Sequence, residues 1–446
     1  MTEIRKFQLE STFRIDAEYY GREIIEIESR LLKMGARPIS DSVSISDGNH
    51  LGLSEEFQCK GIPYYRGGDV HGFFIENSLP EWYVDKDVFD RPQMARSHLR
   101  KGDVLLTIVG TIGNVAIVST DAPALCNCKI AILRPKHESD TAVIASFLSC
   151  KYGKSQVDRL VRGSVQAGLN LDDFNKLLLP KISTDLTQRL VHAVNEARDK
   201  DFSSKSYLHD AEDELEHALG IDAWRPTEDN ISVKTFADAM NAGRIDAEYF
   251  QLRHDEILAR LKSLGKFEYA SEILVAGLEK IVPESMERYI ELADVGAQGT
   301  IEECTDAEWR DLPSRARQRI RSGQIIVSSI EGSLESCALV EGEFDNALCS
   351  TGFHRFHSEQ TNSETLLLIF KSWPLQSLLK RGCSGTILTG ISSSELERIP
   401  VPILPRKVQD SLAKKVRKAF ALRKESKKLI AEAKQMVEDA IDGKVA

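Results

Sequence analysis

No stretch of this 446-residue chain approaches the ~18–20 consecutive apolar residues that a membrane-spanning helix needs. The first residues also lack the apolar core of a signal peptide, so a soluble cytoplasmic protein is expected. The eight cysteines form no CxxC pair. Cys126 and Cys128 make a CxC, but no second Cys/His pair stands at zinc spacing, so reduced buried thiols and no bound metal are expected. There is no GxxxxGK(S/T) phosphate loop, no GxSxG and no HExxH. A glycine-rich cofactor loop followed by Asn/Asp-Pro-Pro-Tyr/Phe, which an amino-methyltransferase would need, is also missing. Glu425-Ser426-Lys427 has no partnering Pro-Asp and reads as surface charge. These absences favour a binding or scaffolding role without a cofactor over catalysis.

What the chain does have is repetition. Residues 14–20 read RIDAEYY and residues 244–250 read RIDAEYF. Further echoes follow in order. Tyr64, Asp69 and Val70 match Tyr289, Asp294 and Val295, and LRKGDVLLTIVGTIGNVAIV (99–118) matches IRSGQIIVSSIEGSLESCALV (320–340). GSVQAGLNLDDFNKLLLP (163–180) matches GTILTGISSSELERIPVP (385–402). The period is far too long for a solenoid, so the pattern is a tandem duplication of a whole domain. The expected organisation is a first α/β domain over 1–182, a long helix over 183–220, a linker and second α/β domain over 221–404, and a second long helix over 405–446.

Each half has the same plan. A short helix comes first (17–34 and 247–264), with Asp16 and Asp246 as N-caps and Gly35 and Gly265 at the C-terminal end. Apolar β-branched runs follow, DVLLTIVG (103–110) and QIIVSSIEG (324–332), with KIAILRP (129–135) as a further strand. Helical patches lie at 142–160 and 363–380. Last, apolar or small residues recur at 3–4 spacing from Leu186 to Ala218 and from Val408 to Ala440, a coiled-coil seam. A helix of this length spans about 54 Å. The stretch 183–219 holds nine acidic and four basic residues, and 405–441 holds eleven basic and five acidic. Opposite charge favours pairing these helices antiparallel about a pseudo-two-fold axis. Asp201 with Ser204, and Arg423 with Ser426, form the polar centre of the seam, and Asp201 is expected to meet Arg423 and fix register.

The paired xGDxLLTxxGTxGxxxxV-like segments, the G-x4-G segments leading to LLLP and IPVPILP, and the long helix after each resemble the specificity subunit of a type I DNA restriction–modification system. The resemblance covers essentially the whole chain. It departs at 331–336, where EGSLES replaces GTIGN, which leaves any role of Gly113 and Asn114 without an equivalent in the second half. It implies an α+β architecture of two target recognition domains joined by two antiparallel coiled-coil helices. It further implies a non-catalytic subunit that reads one half of a split, asymmetric double-stranded DNA site with each domain. Methyltransferase (M) subunits, two of them, and restriction/translocase (R) subunits would be its partners.

Candidate DNA contacts follow from residue type, since phosphates take Arg, Lys and small polar groups, and base edges take Arg, Asn, Gln, Ser and Thr. In the first half these are Arg91, Arg96, His98, Arg100 and Lys101, then Thr107, Thr111 and Asn114. In the second half they are Arg310, Arg315, Arg317, Arg319 and Arg321, then Ser328, Ser329 and Ser333. Matched basicity in a chain of net charge −10 is the strongest sign of DNA in the sequence. Gln166 and the run Thr386 to Thr389 are weaker candidates. Lys414, Lys415, Lys418, Lys427 and Lys428 are placed to run beside unread spacer DNA. RIDAEYY and RIDAEYF read as tethers for the helix that follows, or as a contact with the methyltransferase. A protein scaffold with two matched partner sites and no DNA contact stays open. So do an enzyme with its active site between the halves, and a type IIB-like or phage-exclusion system.

Overall fold

The computed structural model describes residues 19–77, 80–163, 167–229, 231–275, 286–385 and 389–444. Arg14, Asp16, Gln166 and residues 386–388 lie outside the described residues. The chain is a mixed α/β protein that divides into two units: residues 1–201 with 423–446, and residues 202–422.

In the first unit the strand Val104–Thr107 is buried at all four residues, as an apolar run between two glycines should be. It lies inside a four-stranded sheet ordered Val43–Asp47, Ile130–Pro135, Val104–Thr107, Val115–Ile117. A second sheet is ordered Trp82–Val84, Ile62–Tyr65, Leu125–Cys126. Helices Asp140–Ser149 and Lys151–Leu160 cover the first sheet and break at Cys150. A Cβ at Gly153 would come within 2.1 Å of the Phe147 carbonyl oxygen, so only glycine fits where the two helices meet.

The second unit repeats the central pairs of this frame. Val104 pairs with Ile117 and Leu133, and Ile325 pairs with Leu339 and Phe356. Parallel pairing joins Tyr64 to Leu125 and Tyr289 to Leu348. Arg37–Pro38 pairs with Leu178–Leu179 just before the first long helix, and Phe267–Tyr269 pairs with Pro400–Pro402 just before the second. Within the central hairpin the copies differ by one residue, which falls in the loop after the central strand. There the second unit forms a 3-10 turn, Glu331–Ser333.

The short helices are shorter than expected, Arg22–Lys33 and Leu252–Ser263. Asp246 is not the N-cap of the second, a role that falls to Gln251. Asp246 instead accepts the Tyr249 N–H at 3.1 Å and Arg244 Nε at 2.8 Å. Gly35 and Gly265 do take positive φ after these helices, at 73° and 102°.

The long helices run Thr184–Leu219 and Arg406–Ile441, each of 36 residues. Within the first unit, the end of the second helix packs antiparallel on the start of the first. Arg189 Nη2 meets Met436 Sδ, Ser426 Oγ donates to the Ala197 carbonyl at 2.7 Å, and Lys200 pairs with Glu425 at 2.6 Å. Within the second unit, Ser204 Oγ donates to the Ala419 carbonyl at 2.8 Å, Lys415 Nζ to Asp210 O at 2.8 Å, and Ser411 to Glu214 at 2.9 Å. Ser204 and Ser426 are equivalent in the repeat, as are Ala197 and Ala419, and all four are buried. Asp201, buried, and Arg423, half-buried, fall at the level set by the 197/426 and 200/425 contacts.

Each serine reaches the backbone carbonyl of a buried alanine. Ser204→Val and Ser426→Val lose that bond and add volume at the closest approach. Each is expected to lower stability by about 1–3 kcal/mol in urea unfolding. An unchanged midpoint would remove the serines from any role in register.

Candidate nucleic-acid interface

The turns before the two central strands are built alike. Arg100 N–H donates to Asp103 Oδ2 at 2.8 Å, and Arg321 N–H to Gln324 Oε1 at 3.0 Å. Gly102 and Gly323 hold φ of 88° and 84°, a left-handed conformation that favours glycine. Their N–H groups bond the Val118 and Val340 carbonyls. The geometry exposes the residues at the tip: Arg100 and Lys101 in one unit, Arg321 and Ser322 in the other.

Beneath the tip the two units differ. Asp103 is buried and takes a bidentate bond from Arg134, 2.7 Å on each arm. Gln324 is uncharged. The first unit thus neutralises its turn internally, and Arg100 and Lys101 remain without a side-chain partner among the described residues.

Most of the other expected DNA-contacting arginines are engaged within the protein. Arg91 makes a bidentate pair with Glu56, one arm at 2.8 Å, and this bond pulls the Glu56 carboxyl below the usual carboxylate range. Arg96 pairs with Asp47. His98 stacks on Phe89 at 3.9 Å and bonds the Phe89 carbonyl. In the second unit Arg315 bonds Glu291 at 2.6 Å and the Tyr289 hydroxyl at 3.1 Å. Arg321 bonds Asn346. Arg317 reaches only the Ser314 carbonyl, at 2.6 Å, and is exposed like Arg310.

Three of the expected contacts are corrected outright by burial. Arg319 is buried and clamps Glu287 with two bonds of 2.7 and 2.9 Å, because a buried cation needs its charge and donors matched. Thr107 and Ser328 are fully enclosed at the ends of the central strands. Thr107 Oγ1 accepts the Asn114 N–H, and Ser328 Oγ bonds Ser333 Oγ at 2.8 Å. Asn114 Nδ2 donates to the Val70 carbonyl, tying the loop down. Ser329 Oγ donates to the Gly352 carbonyl. Thr111 is exposed.

Solved structures match the chain along nearly its whole length. The S subunit of a type I restriction–modification system from M. genitalium is 14% identical, with 91% of this chain and 94% of that one covered, at a TM-score of 0.39. The HsdS subunit from Thermoanaerobacter tengcongensis is 13% identical, with 92% and 96% covered, at a TM-score of 0.29. No protein-family model and no curated protein matches. Among the described residues no helix is long and apolar enough to cross a membrane, and no cluster of His, Cys, Asp and Glu is placed to hold a metal.

The doubled RIDAEY motif holds each unit together at its aromatic end. Arg159 lies over the Tyr19 ring at 4.2 Å and donates to the Tyr19 carbonyl at 2.9 Å. Arg381 lies over the Tyr249 ring at 4.3 Å and donates to the Tyr249 carbonyl at 2.9 Å. Arg159 and Arg381 correspond at the repeat offset, so their pairing with the motif was visible as a second doubled signal. Arg398 adds a bond to the Tyr249 hydroxyl at 2.6 Å. Nearby, His254 is buried against Ser377, and burial, helped by Arg381 and Arg253, pushes its imidazole down to about 4.

The unfolded chain therefore takes up this proton first. Stability is expected to fall as pH drops below about 6.5, by about 3 kcal/mol once pH passes 4. Urea unfolding at pH 7 and pH 4.5 checks this, and His254→Gln should flatten the difference. An equal pH slope in the variant would assign the loss to other groups.

Proposed function

We propose that the chain is the non-catalytic DNA-reading subunit of a type I restriction–modification system. Each unit would read one half of a bipartite asymmetric site. The single observation that carries this is the duplication itself: two α/β units whose central strands pair with equivalent partners, and whose exposed turns differ in charge and sequence. A common frame with unlike surfaces is what two unlike half-sites require.

In this reading the long helices act as a spacer. Each helix is about 54 Å long, which exceeds one turn of duplex, ~34–36 Å. Phosphate contact falls to the exposed cations without an internal anion: Arg100 and Lys101 in the first unit, Arg310 and Arg317 in the second. Thr111, Ser329 and Ser333 stand as candidate polar contacts. Arg91, Arg96, Arg315 and Arg321 hold loops in shape. Exposed Lys414 and Lys418 on the second long helix are candidates for spacer phosphates. Two methyltransferase subunits would dock on the helical parts, with restriction/translocase subunits joining the larger complex.

A second reading, a scaffold with two matched protein sites, is favoured by the number of arginines already paired with carboxylates. Duplex binding by the full chain, measured against salt, separates the two. The DNA reading predicts that log K falls linearly with log salt, and that Arg100→Ala and Lys101→Ala each reduce the slope by about 1. Arg91→Ala and Arg96→Ala should leave the slope unchanged. Binding that is absent or indifferent to salt favours the scaffold.

A further inference from the structure

The repeat gives an internal standard for the surface, and at one place the units part. The first unit has a cleft of about 610 Å3 between its α/β body and the start of the first long helix. Phe74, Ile117, Ala142, Val191 and Val194 contribute its apolar floor. That volume lies in the range of real binding sites. Ser119 also lines it, and its buried hydroxyl has no hydrogen-bond partner among the described residues. A buried hydroxyl without a partner costs stability unless something supplies one. Arg100 and Lys101, side by side on one turn, make one edge of the mouth cationic. Asp103 at that edge is already neutralised by Arg134, while Asp121 and Glu138 stand on other loops.

The second unit carries different side chains at the same place. Thr141 Oγ1 bonds the Gly102 carbonyl and Ser363 Oγ bonds the Gly323 carbonyl, which fixes the correspondence. Where the first unit has Ala142, Asn195 and Arg198, the second has Glu364, Arg417 and Phe420. Arg417 Nε donates to Glu364 at 2.6 Å, and Phe420 is buried in the unit's core. At these positions the second unit carries a Glu364–Arg417 pair, with the arginine largely exposed, and a buried phenylalanine, where the same positions of the first unit line the cleft.

We propose that the open cleft takes an acidic amphipathic helix from a partner protein, one per chain. Its apolar side chains would enter the floor, with carboxylates against Arg100 and Lys101. Helices seat in apolar grooves through residues spaced i and i+4, and the paired cations at the mouth select the acidic flank. Such a site breaks the equivalence of the halves, so the partner would engage the first unit alone.

The test uses the full chain and a fluorescein-labelled 12-residue helical peptide with leucines at i and i+4 flanked by glutamates. Control peptides carry Lys for Glu, or Ala for Leu. Saturable anisotropy with the Leu/Glu peptide is expected, with methyl NMR shifts at Val118, Val191 and Val194. Installing the second unit's own side chains, Ala142→Glu with Asn195→Arg and Arg198→Phe, should weaken binding at least ten-fold and leave duplex DNA binding unchanged. Ala142→Leu, which fills the floor alone, should weaken it in the same direction and serves if the triple variant unfolds. No saturable binding, equal binding of the Lys peptide, or equal binding by the filled variants would each overturn the proposal.

Discussion

The close approach of the two long helices at alanine is the constraint on which the rest depends. At Ala197 and at Ala419 the facing serine comes near enough for its hydroxyl to reach a backbone carbonyl. A buried hydroxyl is costly without an acceptor, and each serine finds one at a buried alanine of the facing helix. Just before each long helix starts, an apolar strand pairs with the segment after the short helix, Arg37–Pro38 in one unit and Phe267–Tyr269 in the other. Each α/β body is thereby tied to its own part of the helices, and each core draws on both helices.

Above that frame, the two units differ in charge. The central strands keep the same partners in both units while the turn below changes from a buried Asp103–Arg134 pair to an uncharged glutamine. Cross-helix pairs include Lys200–Glu425, in which the acidic helix supplies the cation and the basic helix the anion. Net helix charge therefore favours the pairing in bulk, and individual contacts set its detail. Surface ion pairs of this kind contribute little each. The buried Arg319–Glu287 clamp is different, since removing either side leaves a charge enclosed.

Much of the frame was legible in the sequence because it is periodic or doubled. The long helices expected over 183–219 and 405–441 form over Thr184–Leu219 and Arg406–Ile441, since a 3–4 apolar repeat leaves few alternatives. The central strands announced themselves as apolar β-branched runs between glycines. The candidate site was far less legible. A cluster of arginines reads the same whether it faces phosphate or an internal carboxylate, and the deciding carboxylates are distant in sequence. Glu56 lies 35 residues from Arg91, Asp47 lies 49 from Arg96, and Glu287 lies 32 from Arg319. Strand pairing brings them together, and strand pairing is non-local. The assignment of Asp246 as a cap failed for a related reason. Its local bond to Arg244 competes with capping, and the chain turns again before the helix starts.

A duplicated frame that reads two unlike DNA half-sites at a fixed separation would leave that pattern in the sequences it selects. Selection of bound duplexes from a random-sequence pool by the full chain, followed by sequencing, tests it most directly. The account predicts two short enriched motifs of different sequence, separated by an unread gap of constant length. A single contiguous motif, two motifs at variable spacing, or no enrichment would contradict it.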